Sequence, residues 1–214
     1  MKRIMISAKS KWSEKLTTRE KWLECRKNKA LRKAIENEIK ENGKAKVLLY
    51  CSQGKPNLWL PYEYDCFELD EASQPYLSDK PILDVDTKMN GKVVGYVVIT
   101  HVYNVYYYQK EDERDTLDNC YYIEKNALDD EEMGTNTYLE EGSCLSQDEL
   151  YDYYGGKNGY ALYVSDCVVF DKPKELSEFG KCELLGCCDY RKCNNCRHHI
   201  KLTKAPQNFC YVED

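Results

Sequence analysis

The stretch "GKVVGYVVITHVYNVYYY", residues 91–108, is the longest apolar and β-branched run of the chain, and its reading decides the fold class. Val, Ile, Thr and Tyr suit a pleated, half-buried surface, so the run predicts one long central strand, with Gly95 as the site of a bulge. Elements on either side are shorter. Upstream, "RIMIS" reads as a strand and "SKWSEKLTT" as a brief helix capped by Ser10, with Trp12, Lys15 and Leu16 on its inner side. "EKWLECR" is a second strand. Residues 27–44 carry Leu31, Ile35 and Ile39 at intervals of four and end at Gly43, the pattern of a basic amphipathic helix. "AKVLLYCS" then reads as a buried strand running into the turn "QGKP".

Residues 57–90 mix Pro, Asp and Tyr without clear periodicity and predict an irregular excursion with one short strand. Residues 110–145 are acidic and loop-like, apart from "LDNCYYIEKNAL", which fits a helix. "LSQDELYDYYGGKN" carries Ser146 as N-cap, Glu149 at the capping-box position and a Gly-Gly stop. "GYALYVSDCVVFD" is a strand, "KPKELSEFG" a proline-started turn or helix, and "QNFCYVED" a closing strand. Short helices between strands, with no Gly-rich phosphate loop and no sustained βαβ alternation, favour α+β: a mixed barrel with peripheral helices. A chain of 214 residues accommodates one such domain, 1–214, with insertions at 27–44 and 182–203.

No signal peptide is read at "MKRIMISAKSKW", and no apolar run approaches the roughly 18 residues that span a bilayer. A soluble, cytoplasmic protein without a membrane partner is expected. The net charge of -6 is unevenly spread: residues 1–46 balance to +9, residues 47–180 to -17 and residues 181–214 to +2. A basic surface on an acidic molecule attracts phosphate locally while the remainder repels it. Of the twelve cysteines, Cys25, Cys51, Cys66, Cys120, Cys144 and Cys167 are dispersed, several in apolar runs, and read as reduced thiols.

The other six include a dense cluster. "CELLGCCDYRKCNNCRHH", residues 182–199, holds Cys193 and Cys196 at the spacing that lets two thiolates bind one ion from a tight turn. Cys188 and His199 complete a tetrahedron, with Cys187, Cys182 and His198 as substitutes. Four protein ligands make a closed, structural zinc site, whose binding energy folds a segment poor in apolar residues.

The order of segments resembles the ASCH domains of the PUA-like superfamily. "ISAKSKWSEKL" followed by "REKWLECRK" is similar to their opening, and "AKVLLYCS", "GKVVGYVVI", "GYALYVSDCVVFDKPKELSEF" and "APQNFCYVE" look like later strands of phage and bacterial members. The resemblance implies a PUA-like barrel whose cleft holds RNA, DNA or a modified nucleobase. Some members are amidohydrolases of acetylated cytidine that use a Lys, a Thr directly after it, and a Glu. Lys21 matches the lysine, but Trp22 stands at the threonine position and has no nucleophilic oxygen, and Arg19 replaces the family glycine.

Three functions follow as expectations. The first is a nucleic-acid or modified-nucleobase binding module, more a binder than an enzyme. In "KWLECRK" strand alternation places Trp22, Glu24 and Arg26 on one side and Leu23 and Cys25 on the other. Arg26 then contacts phosphate or a guanine edge, Trp22 stacks on a base, Glu24 accepts an amino group or orients Arg26, and Lys9 and Lys21 add charge at the rim. The second is an amidohydrolase on an acylated nucleoside with Lys21 and Glu24 as the catalytic pair. The third is a protein-interaction factor acting through the acidic, Tyr-rich "NVYYYQKEDERD". His101 is read as a core or rim residue rather than a base.

Overall fold

The computed structural model describes residues 3–62, 74–109, 120–123, 135–182 and 199–212. The chain is α+β. Its strands are β1 (Arg3–Ala8), β2 (Leu23–Arg26), β3 (Ala45–Cys51), β4 (Asn57–Leu60), β5 (Tyr76–Ser78), β6 (Thr87–Lys88), β7 (Lys92–Tyr108), β8 (Cys120–Ile123), β9 (Gly159–Glu175), β10 (Gly180–Cys182), β11 (His199–Lys201) and β12 (Phe209–Val212). The helices are α1 (Ser10–Thr17), α2 (Lys29–Asn42), α3 (Thr135–Ser143) and α4 (Gln147–Tyr154), with a 3-10 turn at Leu176–Glu178. None of the described helices is long and apolar enough to cross a membrane.

Two compact units are present, and neither is contiguous in sequence. The first comprises residues 1–18, 46–97 and 167–214; the second comprises 19–45 and 98–166. In the first, β1 runs parallel to β3, pairing Ile4 with Val47 and Ala8 with Cys51, and antiparallel to β12. The opening portion of β7 and the closing portion of β9 extend that sheet in the order β12-β1-β3-β7-β9. Met5, Leu48, Val93, Phe179 and Val212 form its core. A side chain at Gly95 would place Cβ 2.0 Å from the carbonyl oxygen of Val168, so glycine is required there by the close approach of β9.

The excursion after β3 is more regular than its composition suggests. β4 pairs with β5 and with β6, making a three-stranded sheet. Its hub is the buried Asp86, whose carboxylate accepts from the amides of Tyr62 (3.1 Å) and Leu83 (2.9 Å) and from the Tyr76 hydroxyl (2.5 Å). Long-range side-chain bonds of this kind leave no periodic trace in sequence.

In the second unit the order is β8-β7-β9-β2. Leu23, Cys25, Val105, Tyr121, Ile123, Leu139, Leu150, Tyr154 and Ala161 build its core. α2 starts where the Asn28 side chain accepts from the amides of Ala30 (2.9 Å) and Leu31 (3.1 Å), and it stops at Gly43, whose φ is 74°. α4 has the expected capping box between Ser146 and Glu149 and ends at Gly155.

Several expectations need correction. Lys9, not Ser10, is the N-cap of α1, and its side chain makes no capping bond; Ser10 is instead buried within the helix. The helix expected in "LDNCYYIEKNAL" is strand β8 where described, because Tyr121 and Ile123 alternate inward and the strand pairs with β7 from Val105 to Tyr108. α3 occupies the end of a stretch read as loop. It is held by the fully buried Leu139 and by Gly142, where an added Cβ would lie 2.7 Å from both Leu23 and Trp22. Neither unit's strand order closes into a barrel among the described residues.

Gly95→Ala is expected to lower stability by about 1–3 kcal/mol, the usual range for overpacking, as read from urea unfolding midpoints. The neighbouring half-exposed Tyr96 supplies the control: Tyr96→Phe should change the midpoint far less.

Candidate functional site

The second unit contains a buried ion network. β2 is short, but its antiparallel pairing with β9 sets Glu24 opposite Leu162 and Arg26 opposite Tyr160. Alternation puts these two on one face of the strand, with Leu23 and Cys25 facing the core on the other. Glu24 Oε2 lies 2.9 Å from Lys21 Nζ, and Glu24 Oε1 lies 2.8 Å from Arg26 Nη2. The side chains of Lys21, Glu24 and Arg26 are 4%, 7% and 12% exposed. Charges this deep persist only when paired, since an isolated one would cost several kcal/mol.

Burial alone would raise the pKa of Glu24. The Lys21 ammonium and the Arg26 guanidinium, with their hydrogen bonds, outweigh it and hold the carboxyl below the usual glutamate range. Glu24 is therefore a fixed anion that orients two cations. A carboxylate so stabilised is a weak proton acceptor.

Tyrosines and a second arginine border the network. The Tyr160 hydroxyl donates to the Asn28 carbonyl at 2.7 Å, and the Arg32 guanidinium sits 5.8 Å from the Tyr160 ring centroid. Arg32 is itself positioned by Asn104 Oδ1 at 2.8 Å and Glu36 Oε1 at 2.7 Å. Burial raises the Tyr160 phenol, with Arg26 and Arg32 opposing. Burial likewise pushes Tyr153 up to about 12, again opposed by Arg26. Both hydroxyls stay protonated at neutral pH, and that of Tyr160 is occupied by the Asn28 carbonyl. Lys27 Nζ lies 4.6 Å above the Tyr153 ring and donates to the Tyr153 carbonyl. Two arginines, two phenols and a lysine thus converge on this side of β2.

Lys21, Glu24 and Arg26 are brought together as their spacing suggested. Trp22 departs from the expected alternation because the strand begins only at Leu23. Its amide donates to the Gly142 carbonyl (3.0 Å) and its carbonyl accepts from Val164 (2.8 Å). Its ring packs with the Leu23 and Cys25 cluster, 6.4 Å from Tyr138 in an edge-on arrangement. Lys9 belongs to the first unit, exposed at the start of α1. Arg32, Tyr153 and Tyr160 were not singled out in sequence. The i, i+4 pair of Arg32 with Glu36 reads as an ordinary solvated helix contact, and nothing local announces that β9 returns beside it.

Cys25, Cys51, Cys120 and Cys144 are free thiols, as expected, Cys167 is buried, and Cys66 lies outside the described residues. Burial raises the Cys25 thiol, so it is not a thiolate nucleophile at neutral pH. Of the zinc ligand candidates, Cys187, Cys188, Cys193, Cys196 and His198 lie outside the described residues. The backbone of β10 and β11 pairs Cys182 with His199. Among the described residues no group of three or more His, Cys, Asp or Glu is arranged to hold a metal. His101 is exposed on β7, with Nδ1 3.1 Å from Thr100 Oγ1.

Comparison of the chain with protein-family models, with curated proteins and with solved structures gives no match in any of the three.

Glu24→Gln is expected to cost about 3–5 kcal/mol, because it leaves two buried cations without their anion. The depressed carboxyl fixes the sign of the pH dependence. Its contribution to stability is complete above the ordinary glutamate pKa and is lost as pH falls through the lower, folded-state value. Urea unfolding of the wild type between neutral and acidic pH should show this loss, and the Gln variant should lack that part of the slope.

Proposed function

We propose that this chain is a nucleic-acid or modified-nucleobase binding module of the ASCH type, RNA-related and cytoplasmic. The observation that carries the reading is the Lys21–Glu24–Arg26 network. Evenly matched surface ion pairs contribute little and need no burial. Here one carboxylate immobilises two cations, and the planar guanidinium of Arg26 is held ready for the bidentate contact that phosphate and guanine edges accept. Arg32 and the half-buried, protonated Tyr153 lie beside it, with Tyr160 buried beneath. The basic balance of residues 1–46 adds attraction for phosphate, and the resemblance in "REKWLECRK" points the same way.

Fluorescence anisotropy with short single- and double-stranded RNA and DNA at about 50 and 200 mM salt tests the proposal. Binding should weaken with salt and should fall on Arg26→Ala. Arg32→Ala, a change at a partly exposed position, should weaken binding while leaving the thermal midpoint nearly unchanged. No binding at low salt by the wild type would overturn the reading.

The direct contact of Lys21 with Glu24 supports a second reading, an amidohydrolase on an acylated nucleoside. The ionised, doubly paired state of Glu24 and the tryptophan at position 22 weigh against it. Release of acid from acetylated cytidine, abolished by Lys21→Met, would favour it over the binding module. The third reading, a protein-interaction factor using "NVYYYQKEDERD", gains no observation of its own, since residues 110–115 of that stretch lie outside the described set.

A structural zinc in residues 182–199 belongs to the proposal. It is supported by the Cys193 and Cys196 spacing, and by the β10–β11 pairing that sets residue 182 opposite residue 199. Elemental analysis should return one zinc per chain. Cys193→Ser and Cys196→Ser should each abolish retention of the metal, and a chain purified without zinc that takes none up would refute the site.

A further inference from the structure

A second cluster in the same unit takes no part in the ion network. His101 and Tyr103, two residues apart on β7, stand on one face of the strand, and Tyr163 of β9 stands beside them. The ring centroids are 6.2 Å apart for His101 and Tyr103, 6.1 Å for His101 and Tyr163, and 6.2 Å for Tyr103 and Tyr163. His101 and Tyr103 are nearly parallel, at 8°, while Tyr163 is edge-on to both, at 69° and 67°. Tyr103 and Tyr163 pack against the core that includes Leu23, Cys25 and Val105, and both keep part of their surface open. His101 is exposed. The rings are thus fixed from beneath and open to solvent, on the side of β2 and β9 opposite to Glu24 and Arg26.

Exposed and part-exposed rings offer π-faces to planar ligands. Bases inside a duplex stay stacked on one another about 3.4 Å apart, whereas the unpaired bases of a single strand can be splayed onto such side chains. We infer that His101, Tyr103 and Tyr163 form a base-stacking platform for single-stranded nucleic acid. The inference rests on the nucleic-acid reading of the chain and specifies which form of nucleic acid it takes. Stacking needs no particular base, so the platform adds affinity with little sequence preference.

The test compares short fluorescein-labelled oligo(dT) and oligo(rU) with a hairpin duplex, using the full chain, His101→Ala, His101→Phe and Tyr163→Leu. Circular dichroism melts accompany each variant. The expected result is single-strand binding with the hairpin at least tenfold weaker, and an affinity loss on the order of tenfold for His101→Ala and for Tyr163→Leu. The salt dependence should be unchanged in both, because no phosphate contact is removed, and His101→Phe should retain binding. Should Tyr163→Leu fail to fold, the exposed His101 pair of variants decides alone. Wild-type affinity in His101→Ala and Tyr163→Leu, or a preference for the hairpin, would overturn the platform and leave the nucleic-acid reading standing. A wild type that binds neither probe would overturn both.

Discussion

Glu24 is the constraint on which the second unit turns. A carboxylate placed in the interior must be matched, and the two matching groups come from its own short segment, Lys21 three residues before it and Arg26 two residues after. Strand β2 cannot slip against β9 by one residue without exchanging Glu24 and Arg26 with Leu23 and Cys25, which would drive charge into an apolar cluster. The ion network and the core therefore fix the same register from opposite faces. Desolvation makes the arrangement costly as a source of stability alone. Its value lies in holding a guanidinium still beside tyrosines whose phenols remain neutral.

Much of the architecture could be read along the chain wherever the signal was local. The stop at Gly43, the Ser146–Glu149 box and the long β-branched run behave as their chemistry dictates, whereas the Asn28 cap starts α2 two residues later than its apolar spacing suggests. Reading failed where partners are distant. Cys120–Ile123 took a strand because β7 offers it an edge and a place for Tyr121, a contact invisible to helical periodicity. α3 depends on Leu139 and on the absence of a side chain at Gly142, contacts that no local pattern announces. The small sheet after β3 is organised by Asp86, whose partners are drawn from Tyr62, Tyr76 and Leu83.

The site divided in the same way. Lys21, Glu24 and Arg26 are close in sequence: alternation along β2 aligns Glu24 with Arg26, and Lys21 reaches Glu24 from just before the strand. Trp22 was misplaced by a single residue of strand boundary, enough to turn its ring from the charged face to the core side. Arg32, Tyr153 and Tyr160 required knowledge of which elements pack together, and that information resides in the pairing of β9 with β2 and the seating of α2. The charge asymmetry was countable from the outset, yet it locates no individual residue. Its meaning emerges only through side chains such as Arg26 that are oriented by specific neighbours.

Because residues 182 and 199 are paired in the ribbon of β10 and β11, the positions on either side of the intervening stretch are pinned side by side. Once the ends of a loop are held in this way, each doubling of its length adds only about 0.6 kcal/mol of closure entropy. A change in the number of residues between the two positions therefore bears little on the register of β10 against β11.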